Sequence, residues 1–234
     1  MTVRAILLGS IGVLAETSDI QRRAYNQAFA NAGVDRAWSV ETYRALIRSA
    51  GGMKRLAALQ ADGKPALTAA QVRAVHADKI RIACAEIRTN RTPLRPGVAD
   101  LVAFAKARGI ALAIVTGTYR ENIDAILDAA DGQISASDFA AILTVADAAH
   151  AKPAPDVYRV ALNRLSIAAH EAIAVEDTET SVASAKAARI FTIATPGAFA
   201  ADQDFSAADV VTTDLMSAVK RAMEPKQADA LSVA

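Results

Sequence analysis

Residues 111–127 read Ala-Leu-Ala-Ile-Val-Thr-Gly-Thr-Tyr-Arg-Glu-Asn-Ile-Asp-Ala-Ile-Leu, and this stretch carries the two signals that decide the fold. The apolar run 111–115 has the length and continuity of a strand that is buried on both faces. A Thr-Gly-Thr turn at 116–118 ends it, and Ile123 and Leu127 then lie on one helical face. The stretch therefore predicts a strand, a turn and a helix in succession.

The same alternation recurs along most of the chain. Further apolar runs of strand length are found at 4–8, 140–143, 172–175, 191–194 and 209–211. Most of these runs are followed by a turn and then by a helical period, and alternating strands and helices form parallel sheets with right-handed crossovers. The pattern predicts an α/β, Rossmann-like core, in which a parallel sheet has helices on both sides.

One segment departs from this alternation. Residues 15–91 contain helical periods and no convincing strand, and Thr68 followed by Gln71 has the spacing of a helix capping box. The Pro-Leu-Arg-Pro-Gly run at 93–97 marks the return to alternation. We therefore predict a core domain from residues 1–14 and 92–234 and an inserted all-helical cap domain at 15–91, called the helical insertion below.

Composition excludes several classes of protein. The 234 residues carry 26 Lys and Arg against 25 Asp and Glu, a net charge of +1, and 53% of them are hydrophobic. This balance argues against disorder and against nucleic-acid binding, which usually needs a strongly basic face. Cys84 is the only cysteine, which excludes a disulfide framework. The apolar run near the start is too short to span a membrane, so we expect a cytoplasmic protein with no membrane partner.

Three motifs follow the predicted strands in a characteristic order. They are Thr-Gly-Thr at 116–118, Ala-Lys-Pro-Ala-Pro-Asp-Val-Tyr at 151–158 and Val-Glu-Asp-Thr at 175–178. Together with the helical insertion after the first strand, this order resembles the haloacid dehalogenase-like superfamily. The resemblance covers nearly the whole chain and is nearest to the sugar-phosphate phosphatases and mutases of the CbbY and β-phosphoglucomutase type.

The resemblance implies a chemistry that this chain cannot perform at its first motif. In the family, an Asp at the end of strand one attacks phosphorus, and a second Asp two residues later acts as general acid and base. A gapless match of residues 5–17 places these roles on Gly9 and Ile11, and neither side chain can perform them. Ser10 is a poor replacement, because a continuing strand would direct it away from the Gly9 side.

The phosphate-binding half of the family's site is present. The resemblance assigns the phosphate to the Thr116 hydroxyl, the Gly117 amide and the Lys152 ammonium, and the metal to Glu176 and Asp177. Mg²⁺ is the metal that the family implies, and we expect it to bind weakly here because the strand-one carboxylate is missing. Without the metal, Lys152 is expected to pair with Asp177.

The helical insertion supplies one further resemblance. Gly-Gly-Met-Lys-Arg at 51–55 is similar to the substrate loop of the CbbY type, which makes Lys54 and Arg55 candidate substrate contacts. The alternative for both residues is an ordinary solvated charge. Gln21 stands where mutase-type members have a histidine, which argues against mutase activity.

Three functions remain open from the sequence. The first is a catalytically degenerate homologue that binds a small phosphorylated metabolite. The second is an active phosphosugar phosphatase with unusual chemistry, and the third is a partner-binding protein with a vestigial pocket. The missing carboxylates at Gly9 and Ile11 favour the first and third, whereas Thr116 and Lys152 favour the first over the third. The sequence predicts no oligomeric state.

Overall fold

The sheet is the centre of the computed structural model, which describes residues 2–49, 51–57, 59 and 66–224. The strands of this part of the chain are β1 Ala5–Leu8, β2 Ala111–Val115, β3 Ala141–Leu143, β4 Ala172–Glu176, β5 Phe191–Ala194 and β6 Val210–Val211. They form one parallel sheet in the order β3-β2-β1-β4-β5-β6. Every predicted strand is confirmed, with some ends shifted by one residue.

The register of the sheet brings three strand ends to one edge. Leu8, the last residue of β1, is paired with Ile114 of β2 and Val175 of β4. Because the strands are parallel, the residues that follow them emerge side by side at the carboxyl edge. Gly9 and Thr116 therefore lie next to one another in space although they are distant in sequence.

Both faces of the central strand are buried, which explains its unbroken apolar run. Ile6 and Leu8 belong to the hydrophobic cluster on one face of the sheet, whereas Ala5 and Leu7 belong to the cluster on the other face. Alternate side chains of a strand point to opposite faces, so a strand covered on both sides needs apolar residues at every position.

The described residues form nine α-helices, of which some flank the sheet and the others belong to the helical insertion. Their ranges are α1 Ser18–Asn31, α2 Val40–Ile47, α3 Gly52–Ala57, α4 Ala69–Thr89, α5 Val98–Ala107, α6 Arg120–Ala129, α7 Asp156–Leu165, α8 Glu179–Ala187 and α9 Leu215–Met223. No helix in this part of the chain is long and apolar enough to cross a bilayer.

The helical insertion contributes α1 to α4 and packs around its own aromatic cluster. The predicted capping box of α4 is confirmed, because Thr68 and Gln71 exchange side-chain to backbone hydrogen bonds of 3.2 and 3.0 Å. Tyr25 and Tyr43 pack around the Trp38 ring, at centroid distances of 4.5 and 5.9 Å. These rings fix the faces that α1 and α2 turn towards each other.

Two hydrophobic clusters include residues of both the helical insertion and the rest of the chain. Ile20 of α1 and Ala83 of α4 are part of the same hydrophobic cluster as Ile6 and Leu8 of β1. Phe199, from the loop after β5, enters the aromatic cluster of the insertion, with its ring 5.9 Å from that of Tyr43. The insertion is therefore packed against the rest of the chain.

Candidate functional site

A cavity of about 170 Å³ lies between the carboxyl edge of the sheet and the helical insertion. The sheet edge contributes the residues after β1, the Thr-Gly-Thr turn, Lys152 and the end of β4, and the insertion contributes side chains from α1, α3 and α4. Clefts outside the carboxyl ends of parallel strands are the usual binding sites of open α/β sheets. The cavity thus brings the predicted core residues together at one place.

Glu176 occupies the space beside Gly9. A β-carbon built on Gly9 would lie 2.5 Å from Glu176 Oε2 and 2.9 Å from Val13 Cγ2. The Gly9 amide continues the strand ladder, donating to the Val175 carbonyl at 3.0 Å. The φ angle of Gly9 is not in the left-handed region, so the backbone does not require glycine here. The close neighbour is a flexible carboxylate rather than backbone.

Lys152 forms an ion pair with Glu176, and the expected pair with Asp177 is wrong. The Lys152 ammonium and the Tyr158 hydroxyl both donate to Glu176 Oε1, and the ammonium also donates to the Val115 carbonyl at 3.2 Å. The side chains of Lys152 and Glu176 are almost completely buried. The reason for the difference is the room beside Gly9, which lets the Glu176 carboxylate lie within reach of both donors.

Tyr158 is a site residue that the motif analysis missed. It lies in the first turn of α7 and is completely buried. Burial, reinforced by the Glu176 carboxylate, raises the pKa of Tyr158 well above its usual value, so the phenol stays protonated and donates. The signal was present in the sequence, because Tyr158 ends the quoted 151–158 motif, but nothing in its spacing identified its partner.

Asp177 is directed towards Gly12 and is not paired with a cation among the described residues. Burial raises the pKa of Asp177 well above its usual range, and the nearby Glu176 and Glu16 carboxylates raise it further. Lys152 only partly opposes these effects. Gly12 has a φ of +78°, and a β-carbon there would overlap the Asp177 carboxylate. Gly12 is therefore required both by its backbone conformation and by the neighbouring carboxylate.

The candidate phosphate end of the cavity is formed by Thr116, Gly117 and Ser10. The Thr116 hydroxyl lies 2.8 Å from the Ser10 hydroxyl and accepts from the Thr118 amide at 3.3 Å. A β-carbon on Gly117 would meet no atom within 4 Å, so the space where a side chain would stand is open. The expectation that Ser10 points away from the site is wrong, because β1 ends at Leu8 and strand alternation no longer applies.

Only one of the two predicted substrate contacts of the insertion reaches the cavity. Arg55 lines it, with its guanidinium donating to the carbonyls of Leu46 and Ser49 at 3.0 and 2.9 Å. Lys54 is exposed and is not part of the cavity wall. Consecutive residues of a helix point in directions about 100° apart, which separates the two side chains.

Two cavity residues on α4, His76 and Lys79, were missed by the sequence analysis. Both are buried, and their spacing of three places them on one face of the helix. Burial, reinforced by Lys79 and Arg55, lowers the pKa of His76 to about 4. Burial, together with Arg55, lowers the pKa of Lys79 to about 7. His76 and Lys79 interrupt the apolar stripe of α4, and this interruption is the sequence signal that could have identified them.

Gln21 on α1 completes the insertion side of the cavity. Its Nε2 donates to Asn122 Oδ1 at 3.1 Å, whereas its buried Oε1 has no hydrogen-bond partner among the described residues. An unsatisfied buried polar atom is costly, and a polar atom on a cavity wall is available to a ligand.

The carboxylates present make a poor Mg²⁺ site. Of the two predicted ligands, Glu176 already accepts from Lys152 and Tyr158, and Asp177 is directed towards Gly12. Within the described residues, no group of three or more His, Cys, Asp or Glu side chains is arranged to hold a metal ion. Mg²⁺ prefers ionised oxygen ligands in near-octahedral geometry, and this donor set does not fit it.

Comparisons with known proteins agree with the geometry. The family model for haloacid dehalogenase-like hydrolases matches residues 3–189. Protein CbbY of Rhodobacter capsulatus is 37% identical over 223 residues, which are 95% of this chain and 98% of that protein. Protein CbbY of Cereibacter sphaeroides is 36% identical over 207 residues, 88% of this chain and 90% of that protein.

The similarity extends to solved structures. A crystal structure of CbbY from Rhodobacter sphaeroides in complex with phosphate is 36% identical, has a TM-score of 0.85 and covers 90% of this chain and 94% of that one. A mutant of the same protein in complex with xylulose-(1,5)bisphosphate superposes equally well. A β-phosphoglucomutase from Clostridium difficile, at 14% identity and a TM-score of 0.76, shares the fold.

Proposed function

The chain belongs to the haloacid dehalogenase-like hydrolase family, and we propose that it binds a small phosphorylated metabolite without hydrolysing it. The binding site in this proposal is the cavity at the carboxyl edge of the sheet, with the helical insertion 15–91 as its cover. Fold alone does not establish function, so the proposal depends on the side chains of the cavity.

The case against hydrolysis starts at the two substituted positions. Gly9 has no side chain with which to attack phosphorus, and Ile11 has no proton to transfer. Loss of the nucleophile alone costs about 10⁶ in rate in a well-studied hydrolase. Ser10 lies nearby, but its hydroxyl is hydrogen-bonded to Thr116, and no described base is positioned to activate it.

The observation that carries the proposal is the position of Glu176. Its carboxylate fills the space beside Gly9, where a strand-one carboxylate would stand, and is bound there by Lys152 and Tyr158. This buried pair is neutral overall, and both of its donors bind Glu176 Oε1, so the carboxylate is held beside Gly9 by the protein itself. Phosphatases of this family generally use Mg²⁺, and an ion would have to displace these donors from Glu176.

Phosphate binding is supported by the other half of the cavity. Gly117 lines the cavity and has open space where a β-carbon would stand, and the Thr116 hydroxyl can rotate to donate to an incoming oxygen. Lys152 is close to both, since it donates to the carbonyl of Val115, directly before Thr116. A phosphate there would compete with Glu176 for the Lys152 ammonium.

The class of ligand is proposed from the relatives. The related CbbY protein has been crystallised with phosphate and with a pentulose bisphosphate. A chain of 36% identity with the same cavity position is a candidate for the same class, a phosphorylated small sugar.

Calorimetric titration with inorganic phosphate and with xylulose 1,5-bisphosphate at low salt tests binding. We expect binding by the wild-type chain and a strong loss in Lys152→Ala, while Lys54→Ala, which removes an exposed lysine, leaves affinity unchanged. Phosphate release from the same sugar, measured with and without Mg²⁺, should stay at background. Turnover by rigorously purified protein that Lys152→Ala abolishes, or equal absence of binding in all three proteins, would contradict the proposal.

A further inference from the structure

Glu176 borders the phosphate end of the cavity, where the carboxylates do not fit Mg²⁺. We propose that Glu176, instead of binding a metal ion, accepts a hydrogen bond from an O–H group of the bound oxyanion. This inference rests on the proposed function, since it assigns the ionic form of the phosphate at Thr116 and Lys152. It makes the cavity selective for oxyanions that carry a proton.

The Lys152 ammonium brings the oxyanion and Glu176 together. An ammonium has three N–H donors. In Lys152 one of them is bound to the Val115 carbonyl at 3.2 Å and another to Glu176 Oε1, and no other described residue accepts from Nζ. The third donor is available to a ligand. An oxyanion that binds Lys152 therefore becomes a neighbour of the Glu176 carboxylate and competes with it for the same positive charge.

The order of the strands brings Glu176 towards the other phosphate contact, Thr116. Thr116 directly follows β2, Glu176 ends β4, and β1 lies between these two strands. Glu176 Oε2 reaches over the end of this middle strand, 2.5 Å from the point where a β-carbon would stand on Gly9. The carboxylate is thus displaced from its own strand in the direction of Thr116.

One oxygen of Glu176 receives no donor from the described part of the protein. Lys152 and Tyr158 both donate to Oε1, and no described residue donates to Oε2. Glu176 lines the cavity, and so does Gly9, beside which Oε2 lies. A carboxylate accepts hydrogen bonds on both of its oxygens, so Oε2 is available to a donor on a ligand.

The charges decide which oxyanions can bind next to Glu176. Its side chain is only 2% exposed, so water screens its charge little, and a second anion on the same ammonium is repelled. A fully ionised ligand oxygen offers Oε2 only this repulsion, whereas an O–H group forms a short, charge-assisted hydrogen bond to it. A proton on the ligand therefore converts an unfavourable contact into a favourable one.

Three oxyanions of similar size separate the effect of a proton from the effect of charge. At pH 8.5 inorganic phosphate is mainly hydrogen phosphate, a dianion with one O–H group. Sulfate and monofluorophosphate are dianions as well, but neither carries a proton. A phosphate monoester carries one only in its singly protonated form, so the inference assigns that form to a bound sugar phosphate.

Calorimetric titration of the wild-type chain with the three dianions, at pH 8.5 and constant ionic strength, tests the inference. We expect phosphate to bind more than tenfold more tightly than sulfate or monofluorophosphate, as a hydrogen bond to a buried charge predicts. The affinity for phosphate should be the same in EDTA and in Mg²⁺, because Glu176 contacts the ligand without a metal ion.

Glu176→Gln reverses the polarity of the contact. The amide oxygen can still accept from Lys152 and Tyr158, which directs the amide nitrogen, a donor, towards the cavity. We expect sulfate and monofluorophosphate to bind this variant at least as tightly as phosphate. Glu179→Gln is the matched control: it removes the same charge from a side chain that is 46% exposed and outside the cavity wall, and it should keep the wild-type selectivity.

Tyr158→Phe supplies a second measurement if Glu176→Gln does not fold. This variant removes one of the two donors to Oε1 and leaves the charge of the Glu176 carboxylate less compensated. Ligands without a proton are then repelled more strongly, so the preference for phosphate over sulfate should increase. A decrease of this preference in Tyr158→Phe contradicts the inference.

The outcomes separate this inference from the proposed function. Equal affinity of the wild-type chain for the three dianions overturns the role of Glu176 and leaves the phosphate site at Thr116 and Lys152 intact. Phosphate binding that requires Mg²⁺, or wild-type selectivity in a folded Glu176→Gln variant, also overturns it. Absence of binding for all three dianions and for xylulose 1,5-bisphosphate overturns the proposed function and this inference together.

Discussion

Glu176 Oε2 lies 2.5 Å from the point where a β-carbon would stand on Gly9. The carboxylate that ends β4 has thus taken up the space that a side chain at the end of β1 would need. Its own charge is compensated by Lys152, and its second donor is Tyr158. The Glu176 carboxylate therefore occupies the position that the family's strand-one carboxylate would take. An Asp introduced at position 9 would have to displace it.

Restoring the two family carboxylates should make the chain sensitive to Mg²⁺. In Gly9→Asp with Ile11→Asp, the new carboxylate at position 9 displaces Glu176 from Lys152 and Tyr158 and adds like charge. We therefore expect a lower melting temperature without metal and a higher one on adding Mg²⁺. The ion should raise the free energy of unfolding by about 2.7 kcal/mol when its concentration is a hundred times the dissociation constant. Gly9→Asn with Ile11→Asn is the uncharged control. If adding Mg²⁺ does not change the melting temperature of the folded double Asp variant, the prediction is contradicted.

Removing the Tyr158 hydroxyl should destabilise the fold. Tyr158→Phe deletes one of the two donors to a buried carboxylate, and such a loss costs about 1–3 kcal/mol. Tyr119→Phe is the matched control, because Tyr119 is 36% exposed and should change stability little. Urea denaturation measures both. Equal stability of Tyr158→Phe and the wild-type chain would show that the hydroxyl does not support Glu176.

A comparison of Gly12 and Gly33 separates the energetic cost of a side chain on a left-handed backbone from the cost of a steric contact. Both have a positive φ, +78° and +63°, but only Gly12 has a carboxylate where a β-carbon would stand. We expect Gly33→Ala to cost about 1 kcal/mol from the left-handed backbone alone. Gly12→Ala should cost clearly more, because Asp177 must also move. If both variants lose a similar free energy of unfolding, measured by urea denaturation, the Asp177 side chain can move aside at little cost.

Replacing Lys79 should stabilise the empty protein in a pH-dependent way. The folded state lowers the pKa of Lys79 from 10.5 to about 7, so between these values the unfolded chain binds a proton that the folded chain does not. The contribution of Lys79 to the free energy of unfolding is therefore most unfavourable below pH 7 and improves as the pH rises towards 10.5.

Lys79→Met should accordingly raise the free energy of unfolding by about 1–4 kcal/mol at pH 6.5, and by much less at pH 9.5. Urea denaturation at the two pH values measures the difference, and Lys54→Met, at an exposed lysine, should show neither the gain nor its pH dependence. A gain of the same size at both pH values would argue that Lys79 is charged throughout this range.

The fold could be predicted because its determinants are local. A strand buried on both faces must be apolar at every position, and 4–8, 111–115 and 172–175 are recognisable for that reason. Parallel strands end at one edge, so the residues after β1, β2 and β4 could be assigned to one site from their order alone. The substitutions at Gly9 and Ile11 were equally visible, since they need only the position along the chain.

Only the tertiary structure decided which groups in the site contact each other. The partner of Lys152 depends on where Glu176 finds room, and that room is created by Gly9, which is 167 residues distant from Glu176. His76 and Lys79 face the cavity because α4 packs against α1 and α6, which no local spacing reports. Chain order determined the edge of the sheet at which the site forms, because strand direction is a property of the backbone. Side-chain pairing was decided by burial and charge among residues that only folding brings together.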